Sequence, residues 1–211
     1  MGDVKSSTRY GEAVQGNSRV IAQAETRQRI KETARQRLLT QGYTPTSVAA
    51  VTEQAGFTTG AFYSNFASKA ELTLEVLEEL QQEVHAELTE LLTSHRGSGL
   101  VDALQGWAER LLNSGLPRLE LEFALSVRGD EQLVATEAGR NRAAVTRLTP
   151  LLAAVLPTGI PTPLPVEYLA DLILNMVFGL AVRKIIDPRV SSDSLFESIK
   201  LLLPPERHAD D

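Results

Sequence analysis

The side chains able to carry covalent or metal chemistry are few and poorly spaced for it. The three histidines, His85, His95 and His208, lack metal-ligand spacing, and there is no cysteine to act as thiolate ligand, nucleophile, redox sensor or disulfide. No nucleophile motif and no glycine-rich phosphate loop occurs, and the paired acids Glu78-Glu79 and Glu120/Glu122 are expected on solvated helix faces. An enzyme is not expected, and neither is a metal or an organic cofactor. A non-covalent chemistry is offered instead by Thr58-Thr59-Gly60-Ala61. Hydroxyls, methyls and a bare backbone at consecutive positions can come close to the edges of bases.

Close approach needs a rigid mount, and the first 70 residues supply one. Ile30, Ala34, Leu38 and Leu39 recur at helical spacing from about Ala24 to Thr40, and Gly42 stops that helix. After the turn Tyr43-Thr44-Pro45, Thr46 can N-cap a short helix with Val48, Val51 and Ala55 on one face, ended by Gly56. Thr58 can cap the next helix, 59–65, whose apolar side shows Phe62 and then Phe66, both assigned to the core. The second and third helices, joined at Ala55-Gly56-Phe57-Thr58, have helix-turn-helix proportions. Gly56 relieves the tight turn, and Val48, Val51, Ala55, Phe57 and Phe62 lock the third helix as a projecting reader.

The charge distribution agrees with that division. The chain of 211 residues carries 21 Lys+Arg against 27 Asp+Glu, a net of −6, which excludes a wholly basic nucleic-acid coat. Residues 24–70 hold six basic residues (Arg27, Arg29, Lys31, Arg35, Arg37, Lys69) and three acidic ones (Glu25, Glu32, Glu53), whereas 71–211 carry a net of −10. A basic head on an acidic body suits a head that meets a polyanion, although Arg29, Lys31, Arg35 and Arg37 fit a solvated helix face better than a contact surface.

The stretch 27–72 resembles the DNA-binding domain of the tetracycline-repressor (TetR) family of transcriptional regulators. The resemblance rests on Arg29-Ile30, Ala34, Leu38, Gly42-Tyr43, Thr46-Ser47-Val48, Val51, Ala55-Gly56-Phe57-Thr58, Gly60, Phe62-Tyr63-Ser64-Asn65-Phe66, Ser68-Lys69 and Glu71-Leu72. Thr52 departs from the small apolar residue usual there, and Phe57 is larger than the common valine. The resemblance implies that Thr46, Thr58, Thr59, Gly60, Ala61, Tyr63, Asn65 and Lys69 lie along double-stranded, pseudo-palindromic operator DNA. Tyr63 and Lys69 then suit phosphates, Thr59 and Ala61 base edges, and Thr58 a helix cap, a base contact or both. Arg27 adds a phosphate contact or reaches a neighbouring groove.

The rest of the chain reads as further helices, which makes an all-α protein of about nine. Ser68 caps a long helix with a stripe of Leu77, Leu80, Val84, Leu88 and Leu91, ending before Gly97-Ser98-Gly99. Helices follow at about 100–113, from Pro117 to Val127, from about Asp130 to Val155 and over 166–186. The proline-rich 157–165 forms a loop, and Ser191 or Ser192 caps a last helix. We expect three divisions: a flexible tail over 1–22, a helix-turn-helix domain over 23–70, and a helical effector-binding and dimerisation domain over 71–211.

Residues 1–23 do not read as a signal peptide, and the most apolar stretch, Leu172 to Val182, is about half a membrane span. No membrane association is expected, and a soluble cytoplasmic protein is the simplest reading. The helix 166–186 is apolar round most of its circumference, and the last helix carries Leu195, Phe196, Ile199, Leu202 and Leu203. The resemblance implies that these two helices, about 166–186 and 192–203, form a homodimer interface. It also implies an internal pocket whose effector, expected to be a small apolar or amphipathic molecule, releases the DNA; a tilt of the fourth helix, which links pocket to head, would change the spacing of the two readers. Candidates to line that pocket are Trp107, Phe123, Arg128, Asn175 and Phe178. Core packing competes for the three aromatics, helix capping for Arg128, and a dimer-crossing hydrogen bond for Asn175. A ligand-responsive repressor is the leading reading, and a helical small-molecule carrier or adaptor that does not regulate transcription is the alternative.

Overall fold

A computed structural model describes residues 5–95, 97–156 and 164–202, with side chains from Val20 onward except at 97, 98, 199, 201 and 202. Among the described residues there are nine helices and no strand: α1 Lys5–Gln41, α2 Val48–Ala55, α3 Thr59–Tyr63, α4 Lys69–Ser94, α5 Gly97–Asn113, α6 Leu116–Val127, α7 Glu131–Val155, α8 Val166–Ile186 and α9 Asp193–Leu202. The all-α expectation holds. The chain divides into two compact units, and the division falls within α4, between Val76 and Leu77.

In the first unit α1, α2 and α3 pack on one another. Ile30, Ala34 and Leu38 of α1 meet a core shared with Val51, Ala55, Phe62, Phe66, Leu72 and Val76, all buried. α1 begins at Lys5 and not near Ala24, so most of the segment expected as a tail is helical. Apolar periodicity marks only the part of a helix that packs. A helix already formed extends at the gain of one hydrogen bond per residue, and 5–23 contain no proline to stop it. Gly42 (φ 92°) and Gly56 (φ 78°) close α1 and α2 in the left-handed region, as the turn reading requires.

The cap of α2 is Ser47, not Thr46: the Ser47 hydroxyl accepts the Ala50 amide at 3.1 Å. Thr46 lies one residue earlier and is buried, its hydroxyl donating to the Gly42 carbonyl at 2.7 Å. Thr52 is also buried without orphaning its hydroxyl, which donates to the carbonyls of Val48 and Ala49 at 3.0 Å. A threonine can therefore stand where a small apolar residue is usual.

In the second unit α8 packs against α5, α6 and α7, and α9 against α5. Leu116, Leu119, Phe123 and Val127 form the buried face of α6, joined in the core by Leu77, Leu80, Val101, Leu148, Ala170 and Ala181. α4 ends at Ser94, before Gly97-Ser98-Gly99 as expected, but α5 starts at Gly97 and not near residue 100. Asp130 caps α7 through the amides of Gln132 and Leu133, and α7 continues through Pro150. Phe196 of α9 is buried and Glu109 of α5 accepts the Ser192 amide, so α9 is partly covered by its own chain. Leu203 and the side chains of Ile199 and Leu202 lie outside the described residues. Among the described residues no helix is long and apolar enough to cross a membrane.

Candidate nucleic-acid interface

The short α3 owes its exposure to the residues beneath it. Phe62 is fully buried and packs against Phe66, with ring centroids 5.4 Å apart. The opposite side of α3 consequently faces outward. Thr58, Thr59 and Gly60 are exposed, Ala61 is half-buried, and Tyr63 is 59% exposed with its ring edge-on to Phe62 at 5.2 Å. Thr58 serves as the cap, its hydroxyl accepting the Ala61 amide at 3.2 Å. A Cβ built on Gly60 would meet only the Thr58 hydroxyl, at an ordinary 3.7 Å. The fold itself does not require glycine there. Asn65 is half-buried: its amide donates to the Ala61 carbonyl at 2.8 Å, while Oδ1 is enclosed without a hydrogen-bond partner.

The cations behave differently from the expectation. The Lys69 ammonium donates to the carbonyls of Tyr43 at 2.9 Å and Thr46 at 3.0 Å, and lies 3.8 Å from the centre of the Tyr43 ring. Burial lowers the Lys69 pKa and raises that of the Tyr43 phenol, because loss of water disfavours the charged form of each. Lys69 thus pins the loop that leads into α2. Arg27 forms an ion pair with Glu75 and stacks 4.4 Å over the Phe66 ring. Arg29 reaches the Ala55 carbonyl at 3.4 Å and stacks 5.1 Å over Phe57, which gives the oversized aromatic of the turn a partner. Arg37 donates to Gln54 at 2.8 Å and to Gln41 at 3.0 Å. Arg29 and Arg37 are therefore more than a solvated face: they hold the carbonyl end of α2, where cations are favoured.

Sequence reasoning missed the exposed Ser47 at the start of α2 and the exposed Ser64, whose hydroxyl donates to the Gly60 carbonyl at 3.0 Å. The signal for Ser47 was its position directly before Val48, the first apolar residue of α2, where an N-cap hydroxyl is expected. Ser68-Lys69-Ala70-Glu71 also forms a reciprocal cap at the start of α4. Ser68 Oγ accepts the Glu71 amide, and the Glu71 carboxylate accepts the Ala67 amide.

The five residues expected to line an effector pocket are spread over the second unit. Phe123 is fully buried in the core, Arg128 is the exposed C-cap of α6, and Phe178 is 44% exposed on α8. Asn175 is exposed and satisfies its amide within its own helix, donating to Asp171 at 3.0 Å. Of the five, Trp107 alone lines the cleft of about 450 Å³ formed by α4 and α5.

The family model described as bacterial regulatory proteins, tetR family, matches residues 30–76. No curated protein matches the chain. Among solved structures it is similar to reduced NemR of E. coli, at 21% identity over 86% of this chain and 100% of that one, with a TM-score of 0.65. It is similar to a TetR-family transcriptional regulator from Pectobacterium atrosepticum, at 24% identity over 87% and 94%, TM-score 0.63. A transcriptional regulator from Rhodococcus sp. Rha1 shares 25% identity over 83% and 92%, TM-score 0.62. These likenesses span both units and establish the fold. Residues 30–76, which include α2, α3 and the start of α4, are thus similar to bacterial regulatory proteins of the tetR family, and the likenesses to solved structures extend the same fold over both units.

Proposed function

We propose that the protein is a homodimeric repressor that a small-molecule effector releases from a pseudo-palindromic operator, acting in the cytoplasm. The observation that carries this reading is the uncharged, outward-facing Thr58-Thr59-Gly60 with Tyr63, mounted on the buried Phe62. Such a surface suits base edges, and Tyr63 suits a phosphate. Thr59, Gly60 and Ala61 meet the bases, with Thr58 and Asn65 at the margins of that contact. Thr46, Lys69 and Arg27 support the reader from behind. Attraction to phosphates comes from the net positive charge of the head and from the amide ends of α2 and α4, where Ser47 and Ser68 sit.

The dimer forms through α8, whose Tyr168, Leu172, Met176, Phe178 and Ile186 are exposed in the single chain, with α9 beside it. Two readers multiply a modest single-helix affinity when half-sites lie about 34–36 Å apart. Effector binding in the second unit acts on the reader through α4, the helix that both units share. Because the chain has no cysteine, a thiol redox response is not open to it.

Selection of bound sequences from random duplex DNA by the purified protein tests the core of this reading. The expected result is an inverted repeat, whose affinity falls with salt by about 0.9 in log K per log unit for each phosphate neutralised. Recovery of no common sequence would sink it. A repressor shifted from mostly bound to mostly released requires an effector that prefers the released state by several kcal/mol, on the order of 5.

A further inference from the structure

The cleft between α4 and α5 has a composition that selects for one kind of ligand. Glu87, Glu90, Leu91 and Ser94 share one face of the last turns of α4, His95 follows at its end, and Trp107 and Arg110 face them from α5. Trp107 is the only tryptophan in the chain, and its indole N–H donates to the Glu87 carboxylate at 3.2 Å. That bond turns the ring and fixes a carboxylate beside it. Glu90 stands one turn further along. Among the described residues neither glutamate is in an ion pair, and Arg110 extends back along its own helix towards Gly106.

We infer that this cleft binds a small organic cation with an apolar body. Four features converge on positive charge. The indole offers a π face, which attracts ammonium groups once they are partly desolvated. Among the described lining residues two carboxylates stand against one guanidinium. The carbonyl end of α4, at Ser94, carries the negative end of the helix dipole. The whole segment 71–211 is net −10, so the surrounding field draws cations in. A bare metal ion is disfavoured, because the described residues hold no group of three His, Cys, Asp or Glu able to ligate one. The cleft is open to solvent on one side, and its volume of about 450 Å³ leaves room for a body the size of benzyltrimethylammonium to lie against the indole. The regulatory meaning of such binding rests on the effector reading above; the binding itself does not.

Titration of the full-length protein with benzyltrimethylammonium and with choline, followed by Trp107 fluorescence, tests this directly. We expect saturable change with both, and affinity at least about tenfold weaker for 3,3-dimethylbutanol, the neutral counterpart of choline. The double substitution Glu87→Gln and Glu90→Gln keeps the shape and the indole hydrogen bond and should weaken both cations about tenfold, whereas Glu131→Gln, an exposed acid elsewhere, should not. Absence of saturation at millimolar cation, or equal binding of the neutral alcohol, overturns the proposal. Operator affinity is measured in parallel. Saturation without DNA release upholds the cleft and removes only its link to regulation, while release with unchanged fluorescence places the effector elsewhere and overturns the cleft.

Discussion

Lys69 has two possible roles, and they leave different thermodynamic signatures. An ammonium on a phosphate displaces a counterion, so its removal lowers the salt slope of operator binding by about 0.9. An ammonium on the Tyr43 and Thr46 carbonyls instead holds the entrance to α2 and leaves the slope unchanged. Lys69→Met should therefore weaken operator binding at an unaltered slope and loosen hydrogen-exchange protection at Ala50 and Val51, whose amides bond to Ser47. A slope reduced by one phosphate would return Lys69 to the DNA. Gly60 provides the complementary case. A methyl there meets nothing closer than 3.7 Å and helix propensity favours it, so Gly60→Ala should leave stability within about 1 kcal/mol or raise it. Operator affinity should nevertheless fall about tenfold or more, because the added methyl stands between backbone and base. Unchanged affinity would mean that the DNA does not approach this backbone.

α4, α6 and α7 are joined in the second unit by a polar cluster: Glu120 accepts from Gln81 at 3.0 Å and from Arg140 at 3.2 Å, and Arg147 donates to Glu78 and Gln81 at 3.2 Å. Burial raises the Glu120 pKa above its usual value of 4.5, more than Gln81 and Arg140 lower it. A raised folded-state pKa means that folding favours the protonated form. The stabilising contribution is complete below the unfolded value and fades as pH climbs through the folded one. Glu120→Gln, which cannot ionise, should remove that component, so the urea midpoint should decline less from pH 4.5 towards neutrality than in the parent. An identical pH profile would show that Glu120 titrates alike folded and unfolded. The pair Leu119 and Phe123 carries the apolar side of the same helix, and Phe123→Ala should cost about 3–5 kcal/mol.

For the molecule as a whole, the testable quantity is mass. Leu172 and Phe178 are each more than two-fifths exposed in the single chain, so a charge at either position burdens no internal core. If α8 joins two copies, Leu172→Glu should bring the solution mass from near twice 23.0 kDa to 23.0 kDa. Operator affinity should collapse with it, while the helical signal persists, because each reader would then bind its half-site alone. A parent protein that is already a monomer would remove the dimer and, with it, the inverted repeat.

Much of this was legible in the residues alone. Helix existence follows from apolar spacing, glycine stops and capping residues, all local properties, and the reader could be recognised because helix-turn-helix geometry demands particular residue types at a fixed register. Phe62 inward and Thr59 outward is already a consequence of the helical period. What local pattern could not supply was the partner of each polar group. Whether a lysine meets DNA or a carbonyl 26 residues away, whether Thr46 or Ser47 is the cap, and which of five scattered candidates lines a cleft depend on chain segments brought together only by folding. Charge and hydrogen-bonding capacity are properties of a residue. Their use is a property of its neighbours in space, and tertiary structure alone decides those.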